Sequence, residues 1–384
     1  MSTSKVAIVE CRSYQPGEVE RALGKALDLL GGADAFVRPG ERIVLKPNFL
    51  VASPPEKAVT THPEVFRAVA RALKRAGAEL SFGDSPGFGS VTGVAKKSGV
   101  AEAAEAEGLT MLDFSEGRTV PFPDGNLVKQ FDIASPVLDA DGLVTLPKMK
   151  THGLTRVTGA VKNQLGCVPG LKKGQWHACM PDPVHFAQML VDLNRLLKPR
   201  LAVMDAVVAM EGNGPRGGDP REVGALIVSA DMVAVDTTAC RLMDLDPALV
   251  LTNVFGAEWG LGSMTDIEYV GDQLERFVVP DFDVERGKAK EPSGSGAFAR
   301  TFKNLTAAKP KIVPERCTAC GTCVEVCPLK PSAVRWTDSA AKEAKRPPEY
   351  DYDACIRCYC CQEMCPEGAI EKHTPFLGRL LSKV

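Results

Sequence analysis

Ile43-Val-Leu-Lys-Pro-Asn48, Thr61-His-Pro-Glu-Val-Phe-Arg-Ala-Val-Ala-Arg-Ala-Leu73 and Leu80-Ser-Phe-Gly-Asp-Ser-Pro-Gly87 fall within one stretch, residues 43–87. The first and third are short apolar runs that end in polar residues, as buried strands do when they deliver side chains to a sheet edge. Between them Val65, Val69 and Leu73 recur at helical spacing up to Gly77. Thr61-His-Pro-Glu64 has the form of a capping box at the start of that helix. A strand, a helix and a second strand in this order predict a parallel βαβ unit.

The same alternation continues outward. Val6–Val9 reads as a strand, and Val19, Leu23, Leu27 and Leu30 mark a helix that stops at Gly31-Gly32. Downstream, Leu143–Leu146, Leu201–Met204 and Ala225–Val228 are further apolar strands. Helices are expected over 183–198, with Asp182 as N-cap and Pro183 at the first position, and over 231–243. Residues 1–280 are therefore expected to form an α/β domain, a mainly parallel sheet with helices on both faces.

Composition changes after residue 280. Arg286-Gly-Lys-Ala-Lys-Glu-Pro-Ser-Gly-Ser-Gly296 has little to bury, so 281–310 reads as a linker. Residues 311–372 are rich in cysteine and proline, and 373–384 form a short amphipathic tail. The tail is expected to pack on the protein, since so short a helix gains little alone.

Nine of the chain's 13 cysteines lie between Cys317 and Cys365. Eight of them form two runs, Cys317-x2-Cys320-x2-Cys323-x3-Cys327-Pro and Cys355-x2-Cys358-x2-Cys361-x3-Cys365-Pro. Three cysteines spaced by two wrap a tight loop around three corners of an iron–sulfur cubane. In two-cluster ferredoxins the fourth cysteine of each run serves the other cluster. The spacing thus predicts two [4Fe–4S] clusters, one on Cys317, Cys320, Cys323 and Cys365, the other on Cys355, Cys358, Cys361 and Cys327. The module is expected to have an α+β ferredoxin-like fold. Paired zinc sites fit poorly, because they use two C-x2-C pairs per ion across a longer loop. Cys360 is off the spacing and reads as a bystander.

The net charge of −2 and the 6% aromatic content give no footprint for nucleic acid. No apolar run reaches the about 18 residues of a membrane span. The N-terminus has no basic region followed by an apolar stretch, so the cytoplasm is the default compartment.

Polar residues cluster where the strands end, which is where open parallel sheets bind ligands. Lys46 and Asn48 end one strand and Asp84 another, where it is either an acid/base group or a helix cap. Lys148, Lys150 and His152, followed by Lys162 and Asn163, read as a strand-end loop. That loop is either a site for an anion or a solvated basic turn. Glu211, Asn213 and Arg216 lie in a glycine-rich connection that matches no nucleotide motif. His152 and His177 are the histidines best placed for proton transfer.

Together these segments resemble the family catalogued as domain of unknown function 362. The matching residues are Ile43–Asn48, Thr61-His-Pro63, Gly83–Gly87, Leu146–His152, Gly159–Asn163, Met210–Pro215 and Asp231–Thr237, and the resemblance spans most of residues 5–275. It implies an α/β domain that often carries a C-terminal two-cluster ferredoxin module, and it favours the Lys148–Lys162 segment as a site. It implies no particular reaction.

The expected function is that of an iron–sulfur redox enzyme. Its clusters would pass low-potential electrons to an anionic small molecule. Lys46, Asn48, Lys148, Lys150, Lys162, Asn163, Glu211, Asn213 and Arg216 would bind the substrate, and His152 or Asp84 would move protons. An electron-donor or acceptor protein is implied as partner, and a flavin between clusters and substrate has no motif to support it. Two alternatives stand beside this reading. One is an electron-transfer or scaffold subunit that docks a partner without chemistry of its own. The other is a non-redox enzyme with structural clusters.

Overall fold

The computed structural model describes residues 3–87, 89–170, 172–180, 182–287 and 304–381. Strands β1 (Ser4–Glu10), β2 (Arg42–Pro47), β3 (Glu79–Phe82) and β4 (Thr110–Met111) come first. A small hairpin of β5 (Gly117–Pro121) and β6 (Gln130–Ala134) follows. Then come β7 (Gly142–Leu146), β8 (Lys148–His152), β9 (Arg156–Thr158), β10 (Leu201–Glu211), β11 (Asp219–Ser229) and β12 (Ile267–Gly271). All but β5 and β6 form one sheet ordered β12-β1-β11-β10-β7-β2-β3-β4, with β8 and β9 branching from β10. Most pairings are parallel; β11 runs antiparallel to β1 and β10, and β9 to β8.

The mainly parallel sheet is covered on both faces because its strands are apolar on both. Along β1, Val6 and Ile8 enter a core with the helices Pro183–Leu197 and Met232–Leu242. Ala7 and Val9, pointing the other way, enter a second core with Pro16–Leu29 and Pro63–Arg75.

Local chemistry departs from the sequence expectation in three places. His62, not Thr61, caps the helix Pro63–Arg75, its Nδ1 accepting from the Glu64 amide at 3.2 Å. The Thr61 hydroxyl is taken by the strand ends, accepting from the Asn48 amide and donating to the Leu146 carbonyl. The segment 148–152, expected as a loop, is strand β8. Leu201–Glu211 and Asp219–Ser229 are long strands of one hairpin, so the glycine-rich connection between them is a hairpin turn.

Pro147 explains the branch. It separates β7 from β8 and has no amide to donate, while its carbonyl accepts from the Asp205 amide at 2.9 Å. β10 therefore pairs with β7 through Leu201 and Ala202 and with β8 from Asp205 onward. β2 stays with β7, so β2 and β8 part at this point. Parallel sheets place ligand sites where neighbouring strands diverge in this way.

The C-terminal module contains two small antiparallel ladders, Lys309–Ile312 with Ile370–His373 and Val334–Arg335 with Glu349–Tyr350. It is docked on the large domain rather than hung from it. Tyr359 joins the large domain's core, and Met364 packs with Val51, Ala58, Val59 and Met210. Most of the tract expected as a linker, 288–303, lies outside the described residues. Before it, Phe282 and Val284 are still core residues, and Arg286 donates to the Met243 and Asp244 carbonyls. In the tail, helix Phe376–Leu381 leaves Phe376 70% exposed.

Asp236 ties a core helix to the strand-end region. Its buried carboxylate accepts from the amides of Ala160 (2.5 Å) and Val161 (3.0 Å), which open the short helix Ala160–Asn163. Gly159 leaves room for this contact, since a Cβ there would lie 2.1 Å from Asp236 Oδ1. Burial raises the Asp236 carboxyl to about 7 against the pull of those amides. The folded state then holds a proton that the unfolded state releases near the ordinary Asp value. Asp236 should make stability fall as pH rises from about 4 to about 7. Denaturation midpoints across that range should show a smaller fall in Asp236→Asn than in wild type.

Candidate functional site

Two cavities lie in the cysteine module. One is lined by Cys327, Cys355, Cys358 and Cys361. The other is lined by Cys317, Cys320, Cys323 and Cys365. The fourth cysteine of each run thus faces the cavity formed by the other run. The loops around the cavities are matched: Ala319 and Gly321 in the first run, and Arg357 and Tyr359 in the second, all have positive φ. This left-handed backbone turns amides toward sulfur. Ala319 N donates to Cys317 Sγ at 3.4 Å, Ala369 N to Cys365 Sγ at 3.2 Å and Tyr350 Oη to Cys361 Sγ at 3.1 Å. Gly321 adopts its φ freely, whereas Tyr359 does so against a steric cost that burial of its ring offsets.

At the end of β2, Lys46 is buried and meets Asp84 Oδ1 at 3.0 Å, the Pro47 carbonyl at 2.8 Å and Asn163 Oδ1 at 3.2 Å. Asp84 is no helix cap. Its second oxygen accepts from the Phe49 amide at 2.7 Å, while Ser90 caps the next helix. Burial pushes the Asp84 carboxyl up, opposed by the Lys46 and Lys173 ammonium groups. Asn163 also donates to Thr145 Oγ1, and Asn48 Nδ2 donates to Asn163 Oδ1. Lys173 donates to the carbonyls of Ser85 and Pro86.

Lys148, Lys150 and His152 alternate along β8, so they share a face and sit two residues apart. They are not a solvated turn: Lys148 and Lys150 are each 1% exposed. Lys148 Nζ lies 2.8 Å from both Asp205 Oδ2 and Tyr14 Oη, and Tyr14 donates to Asp205 Oδ1. That set is closed, with His62 stacked on Tyr14. Lys150 donates to the Val59 carbonyl at 2.6 Å, and burial takes its ammonium well below the usual lysine range.

His152 Nδ1 accepts from the Leu154 and Thr155 amides, so the ring proton sits on Nε2. Nε2 approaches Glu363 Oε1 of the cysteine module at 2.8 Å, out of line for a good hydrogen bond. His177 is buried against Phe186, and its Nδ1 has no hydrogen-bond partner among the described residues. Burial lowers both histidines to about 4. Burial works to raise the Glu363 carboxyl, but His152, Lys162 and His177 bring it below the usual carboxylate range. No hydrogen bond or ion pair is seen for Lys162 among the described residues.

The structure therefore divides the residues the sequence singled out. Lys46, Asn48, Asp84 and Asn163 form one buried network. His152 meets Glu363 in a second place, where Lys150, Lys162 and His177 act on that carboxylate electrostatically. Lys148 belongs to the Tyr14–Asp205 set. Glu211 braces the hairpin, accepting from the Asp283 amide and meeting Arg221. Asn213 donates to the Ile370 carbonyl and accepts from Gln362, and Arg216 donates to the Met364 carbonyl at 2.6 Å. Asn213 and Arg216 are thus docking contacts. Sequence reasoning missed Tyr14, Asp205, Lys173 and Glu363. Glu363 stands inside a cysteine run, where the spacing draws attention to its neighbours.

The architecture is an α/β domain with buried basic strand ends, clasped to a two-lobed cysteine module. The chain belongs to the family described as Domain of unknown function (DUF362), which it matches over residues 43–241, and residues 316–369 match a 4Fe-4S dicluster domain. It is similar to a thylakoid-associated protein, sll1697, of Synechocystis sp. The two are 38% identical over 257 residues, 67% of this chain and 79% of that protein. A second relative is one of the subunits of the H(2):CoB-CoM heterodisulfide,ferredoxin reductase of Methanothermobacter marburgensis. There the identity is 34% over 94 residues, and the match covers 22% of this chain and only 14% of that protein. The lactate racemase apoprotein of Thermoanaerobacterium thermosaccharolyticum superposes with a TM-score of 0.41 at 13% identity, over 62% of this chain and 56% of that one. That likeness is too distant to bear on fold or activity. Among the described residues no helix is long and apolar enough to cross a membrane.

Gly166 tests the Lys46–Asp84 network. A Cβ there would lie 1.8 Å from Asp84 Oδ1 and 2.6 Å from Lys46 Cε. Gly166→Ala should separate the pair and destabilise the protein by about 3–5 kcal/mol, read as a lowered denaturant midpoint. Gly287→Ala, with open space around it, should leave the midpoint in place.

Proposed function

We propose that the protein is an iron–sulfur oxidoreductase whose ferredoxin-type module delivers low-potential electrons to an anionic small molecule at the basic strand ends of the α/β domain. Cys317, Cys320, Cys323 and Cys365 would hold one [4Fe–4S] cluster, and Cys355, Cys358, Cys361 and Cys327 the other. The lining of the two cavities and the amides aimed at sulfur fit this arrangement. When bound, clusters of this kind supply single electrons, commonly at low potential.

One observation carries the reading. The helix Cys360–Met364 contains the cavity-lining Cys361, and two residues later it places Glu363 against His152. Electron carrier and basic site thus share one helical turn.

The chain's own residues would act as follows. Lys162 offers an amine that makes no hydrogen bond or close ion pair among the described residues, and Lys150 adds a second nitrogen. Neutral His152, its tautomer set by the Leu154 and Thr155 amides, presents an Nε2–H that can donate a hydrogen bond to the anion and stabilise the charge that builds on it as electrons arrive. Lys150, His152 and Glu363 are buried where the module packs, which strengthens the interactions among them. One relative, matched over 22% of this chain, supports a redox role, since it is by name a subunit of a ferredoxin reductase. Reduction of an anion, the partner protein that supplies electrons and the cytoplasm as compartment are parts of the proposal.

Anaerobically reconstituted protein should bind about eight iron atoms per chain, and Cys361→Ala about four. Potentiometric titration followed by electron paramagnetic resonance should show reversible reduction. Clusters that cannot be reduced reversibly would leave them structural and sink the proposal. Reoxidation of the reduced protein by the anionic small-molecule fraction of a cell extract should slow about a hundredfold in Lys162→Ala. An unchanged rate would move the substrate elsewhere.

A further inference from the structure

Glu363 has a counterpart in the first cysteine run. The two runs align Cys323-Val-Glu-Val-Cys327 with Cys361-Gln-Glu-Met-Cys365, so Glu325 and Glu363 occupy the same place in the repeat. Glu325 is exposed, as a helical glutamate ordinarily is. Glu363 is 6% exposed, meets His152 Nε2 at 2.8 Å, and interacts electrostatically with Lys150, Lys162 and His177, all contributed by the other domain.

Those four side chains do not satisfy one another. Among the described residues the buried His177 Nδ1 shows no hydrogen-bond partner, His152 Nε2 meets only the Glu363 carboxylate, off-line, and the half-buried Lys162 makes no hydrogen bond or close ion pair. Glu363 Oε1 and Gln362 Oε1 likewise lack good hydrogen bonds. A site built solely for docking would be expected to pair these atoms, because a buried unpaired polar group costs about 1–3 kcal/mol. The misfit is understandable if the basic groups are arranged for a ligand and Glu363 stands in for it.

We propose that Lys150, His152, Lys162 and His177 form a binding site for a small carboxylate, and that Glu363 occupies it as an internal ligand while the module is docked. The proposal rests on the functional reading above, in which this region takes an anion. The class is a carboxylate because the group the fold already places there is a planar monoanion. Access then requires Glu363 to leave, so substrate binding and module docking compete. The module acts as its own gate, and a carboxylate that displaces Glu363 also loosens helix Cys360–Met364.

Hydrogen exchange by mass spectrometry on the loaded, oxidised full-length protein tests this, with sodium acetate as probe and sodium chloride at equal ionic strength as control. In wild type, acetate must displace Glu363, so exchange should speed up in 148–158 and 360–364. In Glu363→Ala, acetate fills the gap, so the same segments should exchange more slowly and the thermal midpoint should rise saturably. Glu363→Gln, which keeps the shape and removes the charge, should respond at about tenfold lower acetate than wild type. It carries the comparison if the alanine variant does not fold. Equal responses in wild type and variant, or none beyond chloride, overturn the proposal. A reversal seen with inorganic phosphate and not with acetate overturns the carboxylate assignment. No electron is transferred in this experiment, so its outcome is independent of whether the clusters can be reduced.

Discussion

Three lysine ammonium groups buried at the ends of the strands impose the constraint on which the rest of the structure depends. A charge removed from water must be paired or neutralised. Lys46 pairs with Asp84 and Lys148 with Asp205, both within the α/β domain. Lys150 has a single carbonyl, and the next carboxylate toward it comes from the cysteine module as Glu363. Charge compensation at the strand ends is therefore shared between two domains, which binds the position of the module to the electrostatics of the site.

The fork at Pro147 makes that arrangement possible. By separating β7 from β8 it lets β10 serve two neighbours, and Lys148, Lys150 and His152 alternate along β8 toward one face. Each meets a different environment: a Tyr–Asp pair, a backbone carbonyl and a glutamate from another domain. The β10–β11 hairpin turn closes the clasp from the other side, with Asn213 accepting from Gln362 and Arg216 donating to the Met364 carbonyl of the helix that carries Glu363. Tyr359 links the two themes. Its strained backbone shapes a cysteine loop, and its buried ring anchors that loop in the large domain's core.

The β-α-β grammar of residues 43–87, the alternation of apolar strands and amphipathic helices, and the paired cysteine runs are legible because each is a local, periodic signal. Periods of two and 3.6 and a three-residue cysteine spacing are properties of adjacent residues. The strand β8 reads as a loop in the sequence because its lysines and histidine are polar, and only burial by distant segments makes such residues strand-compatible. The capping box misleads for a related reason. Thr61 could have capped its helix, but Asn48 and Leu146 compete for the same hydroxyl.

By itself the sequence determined the α/β class, the iron–sulfur type of the C-terminal module and the location of polar residues at strand ends, since composition and spacing suffice for these. It could not say which of those residues would meet. Lys148 and Lys150 look alike in the chain, yet one is spent on Asp205 and the other faces the module. Glu363 looks like a surface residue between two cysteines. Their roles depend on contacts between residues far apart in sequence, and those were decided by the tertiary structure: by where the sheet forks, and by the need of buried charges for partners that no neighbouring residue supplies.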